Sequence, residues 1–345
     1  MKNAVLQVSA PFIREYQKKE IYEPMKTFSY GAYPVMITPY NSDNTLDRGA
    51  IRALVDWYWE KGCAGIFASC QSSEIHCLSL SERVLHAQLT KEEADRLAAA
   101  DKSRAPMTVV ASGHVSDAFA DQAEELNAVA AAGVDALVLI SNRMDIANTT
   151  EEAWIADCEK LLAILDPSIP LGVYECPRPY KRLLAPALLR WCTGTGRFAF
   201  IKDTCCDAAE MARRTALIAE TPVPADGYRP ALFNANAQTL LSSLRTGAKG
   251  YCGVMCNFHP ELFAWLCANY EKDPERAEFV QSFLSTAAFL EALTYPCIAK
   301  YHLNKVGVSM LPIARTADVS RMTDYDTMCV DYMDRLAEHV KAQIG

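Results

Sequence analysis

The stretch GRFAFIKDTCCD, residues 196–207, places a lysine directly after an apolar run. Residues 198–201 read FAFI, which is typical of a strand that is buried on both faces. An ammonium group is costly to bury without a partner. The position of Lys202 therefore predicts either a chemical role at the end of a core strand or a side chain that extends its charged end into solvent.

Seven similar runs recur at regular intervals along the chain. Most are continuous rather than alternating, as in a parallel sheet that is covered on both faces. The eight runs comprise residues 33–37, 64–68, 107–111, 136–140, 171–174, 198–201, 231–233 and 251–255.

The segments between these runs carry helix-start signals. Ser79 with Glu82, and Thr149 with Glu152, fit the capping box, and Pro186 stands where a first helical residue is expected. Eight strand–helix units predict an α/β protein with a (β/α)8 TIM barrel. A doubly wound sheet is the alternative, although that fold does not require eight evenly spaced units.

The barrel accounts for only part of the 345 residues. We predict a polar N-terminal extension over residues 1–26, the barrel over residues 27–273, and additional C-terminal helices packed on the barrel over residues 274–345.

Composition excludes several classes of protein. The formal net charge is −8, and the sequence has no cluster of Lys and Arg. We therefore expect that the protein does not bind nucleic acid. No apolar stretch of about 18 residues is present to span a membrane. The 13 cysteines show no disulfide-framework spacing; Cys63, Cys70 and Cys77 are seven apart, but no second pair of ligands accompanies them. Residues 1–20 lack the apolar core of a secretion signal. We therefore expect a cytoplasmic protein with reduced thiols and no metal site; cysteine ligation of a metal is the alternative.

In a (β/α)8 barrel the chemistry lies at the C-terminal ends of the strands, so these positions hold the candidate site. The candidates are Thr38, residues 70–74, residues 112–114, residues 141–143, Tyr174, Lys202, residues 234–236 and Asn257.

Lys202 and Tyr174 end two consecutive strands, so their side chains are expected to lie side by side. A desolvated lysine loses its proton more readily, and the neutral amine can attack a ketone to form a Schiff base. The resulting iminium withdraws electrons and allows a neighbouring carbon–carbon bond to form or break. The Tyr174 phenol could transfer protons during these steps. The alternative for Tyr174 is a core aromatic residue whose hydroxyl group faces solvent.

An ordered set of motifs across residues 31–307 resembles the dihydrodipicolinate synthase / N-acetylneuraminate lyase family of class I aldolases. The resemblance implies Tyr174 and Lys202 as the catalytic pair, a 2-oxo acid such as pyruvate as substrate, no cofactor, and a homotetramer or dimer. The motifs are ITPY (37–40), GCAGIFASCQSSE (62–74), LSLSER (78–83), AAGVDALVL (131–139), YECP (174–177), IKDT (201–204), GAKGYCGVMCN (247–257) and YPCIAK (295–300).

The resemblance also assigns a substrate loop. The loop CQSSE, residues 70–74, stands where the family binds the pyruvate carboxylate, and Gln71 and Ser72 are the candidate contacts. Cys70 and Ser73 replace glycines of the family pattern, and a polar turn that only caps the next helix is the alternative. The family's T-P-x-Y segment reads ISNRM here, so its tyrosine is missing and Arg143 stands nearby.

Polar residues at the predicted mouth are candidates for binding the rest of the substrate. We predict that Thr38, His114, Arg178 and Asn234 contact it, in a sugar acid or another polar 2-oxo acid. Further polar residues map to the same region: His76, Arg143, Asn236 and Gln238.

Two functions from different classes remain open. The first is a lyase or synthase that acts through an imine on Lys202, by condensation, cleavage or dehydration. The second is a family member without efficient turnover that acts as a 2-oxo acid binding or regulatory protein. A metal-dependent aldolase would need His, Asp and Glu residues together at the strand ends, and the sequence offers no such set.

Overall fold

The computed structural model describes residues 28–345, so the predicted extension over residues 1–26 lies outside the described part. Eight strands form one parallel sheet. They are β1 Gly31–Ala32, β2 Gly65–Ala68, β3 Thr108–Ser112, β4 Ala136–Ile140, β5 Leu171–Tyr174, β6 Phe198–Asp203, β7 Ala231–Asn234 and β8 Gly250–Tyr251.

The sheet closes into a barrel. Its strand order runs from β1 through β8 and back down the chain to β2. The last gap is bridged by a parallel pairing of Val35 with Phe67. Together with the helices between the strands, this confirms the predicted (β/α)8 TIM barrel with additional C-terminal helices.

Eleven α-helices are present in residues 28–345. They are α1 Arg48–Glu60, α2 Leu80–Ala100, α3 Phe119–Ala130, α4 Glu151–Ile164, α5 Pro186–Thr195, α6 Ala208–Glu220, α7 Leu240–Arg245, α8 Pro260–Asn269, α9 Pro274–Ala287, α10 Cys297–Lys305 and α11 Asp324–Ile344.

Local helix signals were mostly accurate. Ser79 and Glu82 form the predicted capping box at α2, and Pro186 begins α5. The cap of α4 is Thr150 and not Thr149, because the Thr149 hydroxyl donates a hydrogen bond of 2.8 Å to Asp145 instead.

Two observed strands begin and end earlier than the predicted runs. The run 33–37 leaves the ladder after Ala32, since Pro34 has no N–H to donate, and the Met36 N–H bonds to the Phe67 carbonyl of β2. The run 251–255 is a strand only at its start, and Val254–Asn257 forms a 3-10 helix. Gly250 allows β1 and β8 to approach closely, because a Cβ there would lie 2.0 Å from the Gly31 carbonyl oxygen.

Aromatic side chains fill the interior of the barrel. The rings of Phe200 and Phe233 have centroids 4.8 Å apart, and Tyr33 and Phe67 pack against this pair. The interior is therefore a packed core, and chemistry is confined to the end of the barrel.

The C-terminal helices contact the barrel helices and one another. α9 packs on α7 and α8, and α11 packs on α9 and α10. Within residues 28–345, no helix is both long enough and apolar enough to cross a bilayer.

Candidate active site

Lys202 and Tyr174 are neighbours across the sheet. β5 and β6 pair in parallel with Tyr174 opposite Lys202, so both side chains leave the same end of the barrel. The Lys202 Nζ lies 4.2 Å from the centroid of the Tyr174 ring and 5.4 Å from that of Phe67. Lys202 is 5% exposed and Tyr174 is 4% exposed. The two side chains therefore lie side by side, as expected from the order of the strands.

The Lys202 amine has no counter-ion. Among residues 28–345, no carboxylate lies in salt-bridge distance and no acceptor lies in hydrogen-bond distance of its Nζ. Two thiols, of Cys176 and Cys252, are close enough to interact with its charge, but burial raises the pKa of Cys252 to about 12 and also raises the pKa of Cys176. Both thiols therefore stay neutral, and the Lys202 amine is buried without a negative partner.

Tyr174 is held in its neutral form. Burial raises the pKa of its phenol well above the usual value, and the neighbouring thiols of Cys176 and Cys70 act in the same direction. A protonated phenol next to the amine can donate a proton and then recover it.

The residue after Tyr174 points away from the amine. Glu175 Oε1 accepts hydrogen bonds of 2.7 Å from both the Leu184 N–H and Arg214, and Arg214 also pairs with Asp203. Burial raises the pKa of Glu175 to about 7, although Arg214 opposes this. These contacts fix the loop after β5 to β6 and α6, so Glu175 and Asp203 support the site from behind.

The CQSSE loop is braced by internal hydrogen bonds. Ser73 Oγ accepts from the Cys70 N–H at 3.0 Å and donates to the Met36 carbonyl at 2.5 Å. Thr38 Oγ1 donates to the Ser73 carbonyl at 2.7 Å and is fully buried. The Thr38 hydroxyl thus holds the loop, and Thr38 does not line the cavity described below, so its contact with substrate stays a prediction.

Glu74, the last residue of the loop, ties it to the C-terminal region. Its backbone is left-handed, with φ of 62°. Its Oε2 accepts from the backbone N–H groups of Arg315 and Thr316, each at 2.6 Å. The segment that precedes α11 thus closes one side of the site.

A cavity of about 730 Å³ opens above this loop. Three predicted substrate contacts, Gln71, Ser72 and Arg178, line it. The full lining is Gln71, Ser72, Glu74, His76, Cys77, Asp117, Arg143, Ile146, Arg178, Pro179, Tyr180, Val254, Tyr295, Pro296 and Thr316.

Lys202 and Tyr174 are not part of this lining. They connect to it through Cys176, whose Sγ donates to Gln71 Oε1 at 3.4 Å and which interacts with the Tyr174 phenol. Cys176 therefore separates the cavity wall at Gln71 from the Tyr174 phenol.

Two further predicted contacts lie elsewhere. His114 is fully buried: its Nδ1 is 2.9 Å from Gln122 Oε1, and its Nε2 accepts from the Ile140 N–H at 2.6 Å. Asn234 donates to Thr239 and Ser243. His114 thus bridges α3 and β4, Asn234 binds the start of α7, and neither lines the cavity, so their contact with substrate stays a prediction.

The cavity wall carries positive charge. Arg143 donates to the Val115 carbonyl and to Asp117, whose side chain is largely exposed. Arg178 is exposed and forms no salt bridge with any residue in 28–345. Desolvation, together with the charges of these two arginines, lowers the pKa of His76. Glu74 and Asp117 also line the cavity, so an anionic group would be favoured next to Arg178, whose charge no salt bridge offsets.

The structure adds a phenol that strand-end reasoning missed. Tyr295 lines the cavity, its hydroxyl accepts from Asn257 Nδ2 at 3.2 Å, and it also interacts with Ser72. It precedes α10, far from any strand, so only its place in the YPCIAK motif could have drawn attention to it.

A second buried lysine is a competitor for the chemical role. Burial lowers the pKa of Lys300 to about 8. Its Nζ, however, donates to the Thr38 carbonyl at 2.7 Å and to the Ile313 carbonyl. Lys300 therefore anchors the C-terminal region, and among the described residues Lys202 is the better placed nucleophile.

Solved structures with the same fold include several enzymes. A monomeric dihydrodipicolinate synthase variant superposes with a TM-score of 0.76 at 17% identity, covering 90% of this chain and 97% of that one. Sialic acid aldolase from Ruminococcus gnavus gives a TM-score of 0.75 at 16% identity, covering 92% and 99%. At these identities the similarity concerns the fold alone.

Sequence comparison shows the family in addition to the fold. The 4-hydroxy-tetrahydrodipicolinate synthase of Polynucleobacter asymbioticus is 26% identical over 283 residues, 80% of this chain and 85% of the relative. That of Cellvibrio japonicus is 24% identical over 293 residues, 83% and 93%. Residues 29–327 match the profile of the Dihydrodipicolinate synthetase family, and the chain therefore belongs to that family.

Proposed function

We propose that the protein is a class I aldolase, lyase or synthase that acts on pyruvate or another 2-oxo acid. The Lys202 amine attacks the C2 ketone, water leaves, and an iminium forms; loss of a C3 proton then gives an enamine that can form a carbon–carbon bond. Tyr174 exchanges the protons. The observation that carries the proposal is a buried amine without a counter-ion beside a neutral phenol, which Cys176 links to the cavity residue Gln71.

Pyruvate is the first 2-oxo acid to consider. A prophage protein of the dihydrodipicolinic acid synthase family from E. coli K12, similar in fold with a TM-score of 0.74, was crystallised in complex with pyruvate. In this chain Gln71, Ser72 and the N–H groups of their loop would receive the carboxylate.

The remainder of the substrate is proposed to be anionic or hydroxylated. Arg178 and Arg143 supply guanidinium groups that match a carboxylate or phosphate, and His76 and Tyr180 add polar atoms to the same wall. This supports a 2-oxo acid with a second charged or polyhydroxy end, such as a sugar acid.

A 2-oxo acid binding protein with weak turnover is the second candidate. It is favoured by the altered CQSSE loop, in which Cys70 and Ser73 are buried and Ser73 is committed to internal hydrogen bonds. Such a protein would bind 2-oxo acids without forming a covalent adduct.

The cellular setting and assembly remain part of the proposal. All 13 cysteines are free, which supports a cytoplasmic location. Self-association as a dimer or tetramer is supported by an exposed apolar face of α11 formed by Tyr325, Met328, Tyr332 and Leu336. The division into a barrel over residues 27–273 and a C-terminal region over 274–345 is likewise proposed.

Borohydride should trap pyruvate on Lys202. Reduction of the imine converts it to a stable secondary amine, so we expect one adduct per chain in intact-mass measurement and its assignment to Lys202 by peptide mapping. Attachment to Lys300 would contradict the proposal.

The trapping experiment also separates the two candidate functions. A panel of 2-oxo acids that stabilises the protein against heat without leaving any reduced adduct would favour the binding protein. Omission of borohydride, with otherwise identical treatment, is the control for non-covalent carry-over.

Arg178→Ala should weaken binding of a 2-oxo acid with a second carboxylate. A hydrogen bond to a charged group contributes about 1.5–3 kcal/mol, so we expect the concentration of 2-oxoglutarate that gives half-maximal trapping to rise about 10–100-fold. The value for pyruvate should change little. Arg276→Ala on α9, which removes an exposed arginine paired with Asp273, is the matched control. If this concentration rises equally for pyruvate and 2-oxoglutarate, Arg178 does not bind the second carboxylate.

A further inference from the structure

A buried cluster of two histidines and one aspartate lies outside the cavity described above. His259 directly precedes α8, His302 belongs to α10, and Asp334 belongs to α11. None of the three lines the cavity that holds the candidate active site. The cluster is therefore spatially distinct from the candidate active site.

The three side chains converge on one point. His302 Nδ1 is 2.9 Å from Asp334 Oδ1, His259 Nε2 is 3.7 Å from the same oxygen, and all three atoms lie within 4.8 Å of one another. Tetrahedral zinc with bonds of about 2.0–2.1 Å requires ligand atoms roughly 3.4 Å apart. The two separations from Asp334 Oδ1, 2.9 Å and 3.7 Å, lie on either side of that value, and the separation of the two imidazole nitrogens is below 4.8 Å.

The cluster leaves polar atoms without partners. His259 and His302 are 3% and 1% exposed, and the Nε2 atom of each has no hydrogen-bond partner among residues 28–345. A buried polar atom without a partner is destabilising. A bound ion would use the free Nε2 of His259 directly, because it already faces the aspartate.

The surroundings resemble those of a metal ligand set. Lys305 binds the other carboxylate oxygen, Asp334 Oδ2, at 2.9 Å, which orients Oδ1 toward the imidazoles. The positive charge of Lys305 opposes a cation, but Lys305 is also paired with Asp331. Aromatic rings pack on the imidazoles: Trp57 and Phe258 on His302, and Phe283 on His259.

We propose that His259, His302 and Asp334 bind one divalent transition-metal ion of the zinc type, with water as a further ligand. Two imidazoles and a carboxylate suit such ions, whereas magnesium and calcium prefer oxygen ligands alone. The ion would link α8, α10 and α11 and so fix the C-terminal helices. No sequence motif indicates this site, because the three ligands are 43 and 32 residues apart. The expectation of no metal rested on cysteine spacing and on the residues at strand ends.

Zinc binding to the full-length protein tests the proposal. After treatment with a chelator and desalting, titration with zinc should show about one tight equivalent, and saturating zinc should raise the melting temperature by about 3 °C or more. Magnesium at the same concentration should have no such effect. His259→Ala and Asp334→Asn should each abolish the tight equivalent, whereas His339→Ala, at an exposed histidine of α11, should retain it.

Cobalt distinguishes this site from the cysteines without any mutation. Cobalt bound by the cluster should show only weak visible bands, while cobalt bound by thiolates shows intense charge-transfer absorption. Absence of a tight equivalent, its retention in both cluster variants, or a thiolate spectrum would each overturn the proposal. The spectrum of the unmodified protein keeps the test valid even if a cluster variant fails to fold.

Discussion

Lys202→Arg is expected to remove 2-oxo acid chemistry almost completely. Arginine retains the positive charge and much of the length, but its guanidinium stays protonated and cannot form an imine. Loss of a covalent nucleophile commonly costs several orders of magnitude, so we expect a decrease of at least about 10⁴-fold. The measurement is the rate at which the C3 protons of pyruvate exchange for deuterium, monitored by NMR. This exchange requires only the imine and the enamine, and no second substrate.

Controls must separate chemistry from folding. Lys249→Arg makes the same substitution at the residue that directly precedes β8, close to Tyr30. This variant should catalyse the pyruvate exchange at the wild-type rate. Because arginine is larger than lysine, Lys202→Met provides a second variant that fits a buried site without a charge. Substantial exchange by folded Lys202→Arg or Lys202→Met would assign the imine to another lysine, with Lys300 as the first candidate because of its lowered pKa.

The Lys202 and Tyr174 pair could be predicted because its geometry depends on strand order alone. Consecutive parallel strands with buried runs place their last residues side by side, and the register pairs Tyr174 with Lys202 as expected. The same logic located the loop with Gln71 and Ser72, which follows β2 and lines the cavity.

Side-chain direction could not be predicted in the same way. His114 and Asn234 both stand at or just beyond strand ends, yet His114 binds Gln122 of α3 and the Ile140 N–H of β4, and Asn234 binds hydroxyl groups at α7. Polar atoms in buried places must find partners, and those partners are visible only in three dimensions. Thr38 follows the same rule, since its hydroxyl serves the Ser73 carbonyl.

Residues brought in by the C-terminal region were also beyond prediction. Tyr295 and Thr316 reach the cavity from segments that follow the last strand, and their positions depend on how α9, α10 and α11 pack. Strand-end rules describe only the barrel. The closure of the site by Glu74 contacts to residues 315 and 316 is therefore a tertiary feature with no local signature.

Tyr174→Phe is expected to slow the pyruvate exchange by about 10²–10⁴-fold, the usual effect of losing a positioned proton-transfer group. The ring that packs 4.2 Å from the Lys202 amine is retained, so the fold and the burial of the amine should be preserved. Because burial raises the pKa of the phenol well above its usual value, the phenol stays protonated through the neutral range. The variant should therefore be slower at every pH between about 6 and 9, and its melting temperature should remain close to that of the wild type.

A second phenol makes the interpretation of this variant specific. The family's T-P-x-Y tyrosine is missing here, but Tyr295 lines the cavity beside Ser72 and could supply a proton from the other side. Tyr301→Phe on α10 removes a hydroxyl that binds Asp331 and serves as the control, with exchange expected at the wild-type rate. If folded Tyr174→Phe exchanges as fast as the wild type while Tyr295→Phe is slow, proton transfer belongs to Tyr295. Glu175 and His114 are less well placed for that role. Glu175 binds Arg214 and the Leu184 N–H, and His114 binds Gln122 and the Ile140 N–H.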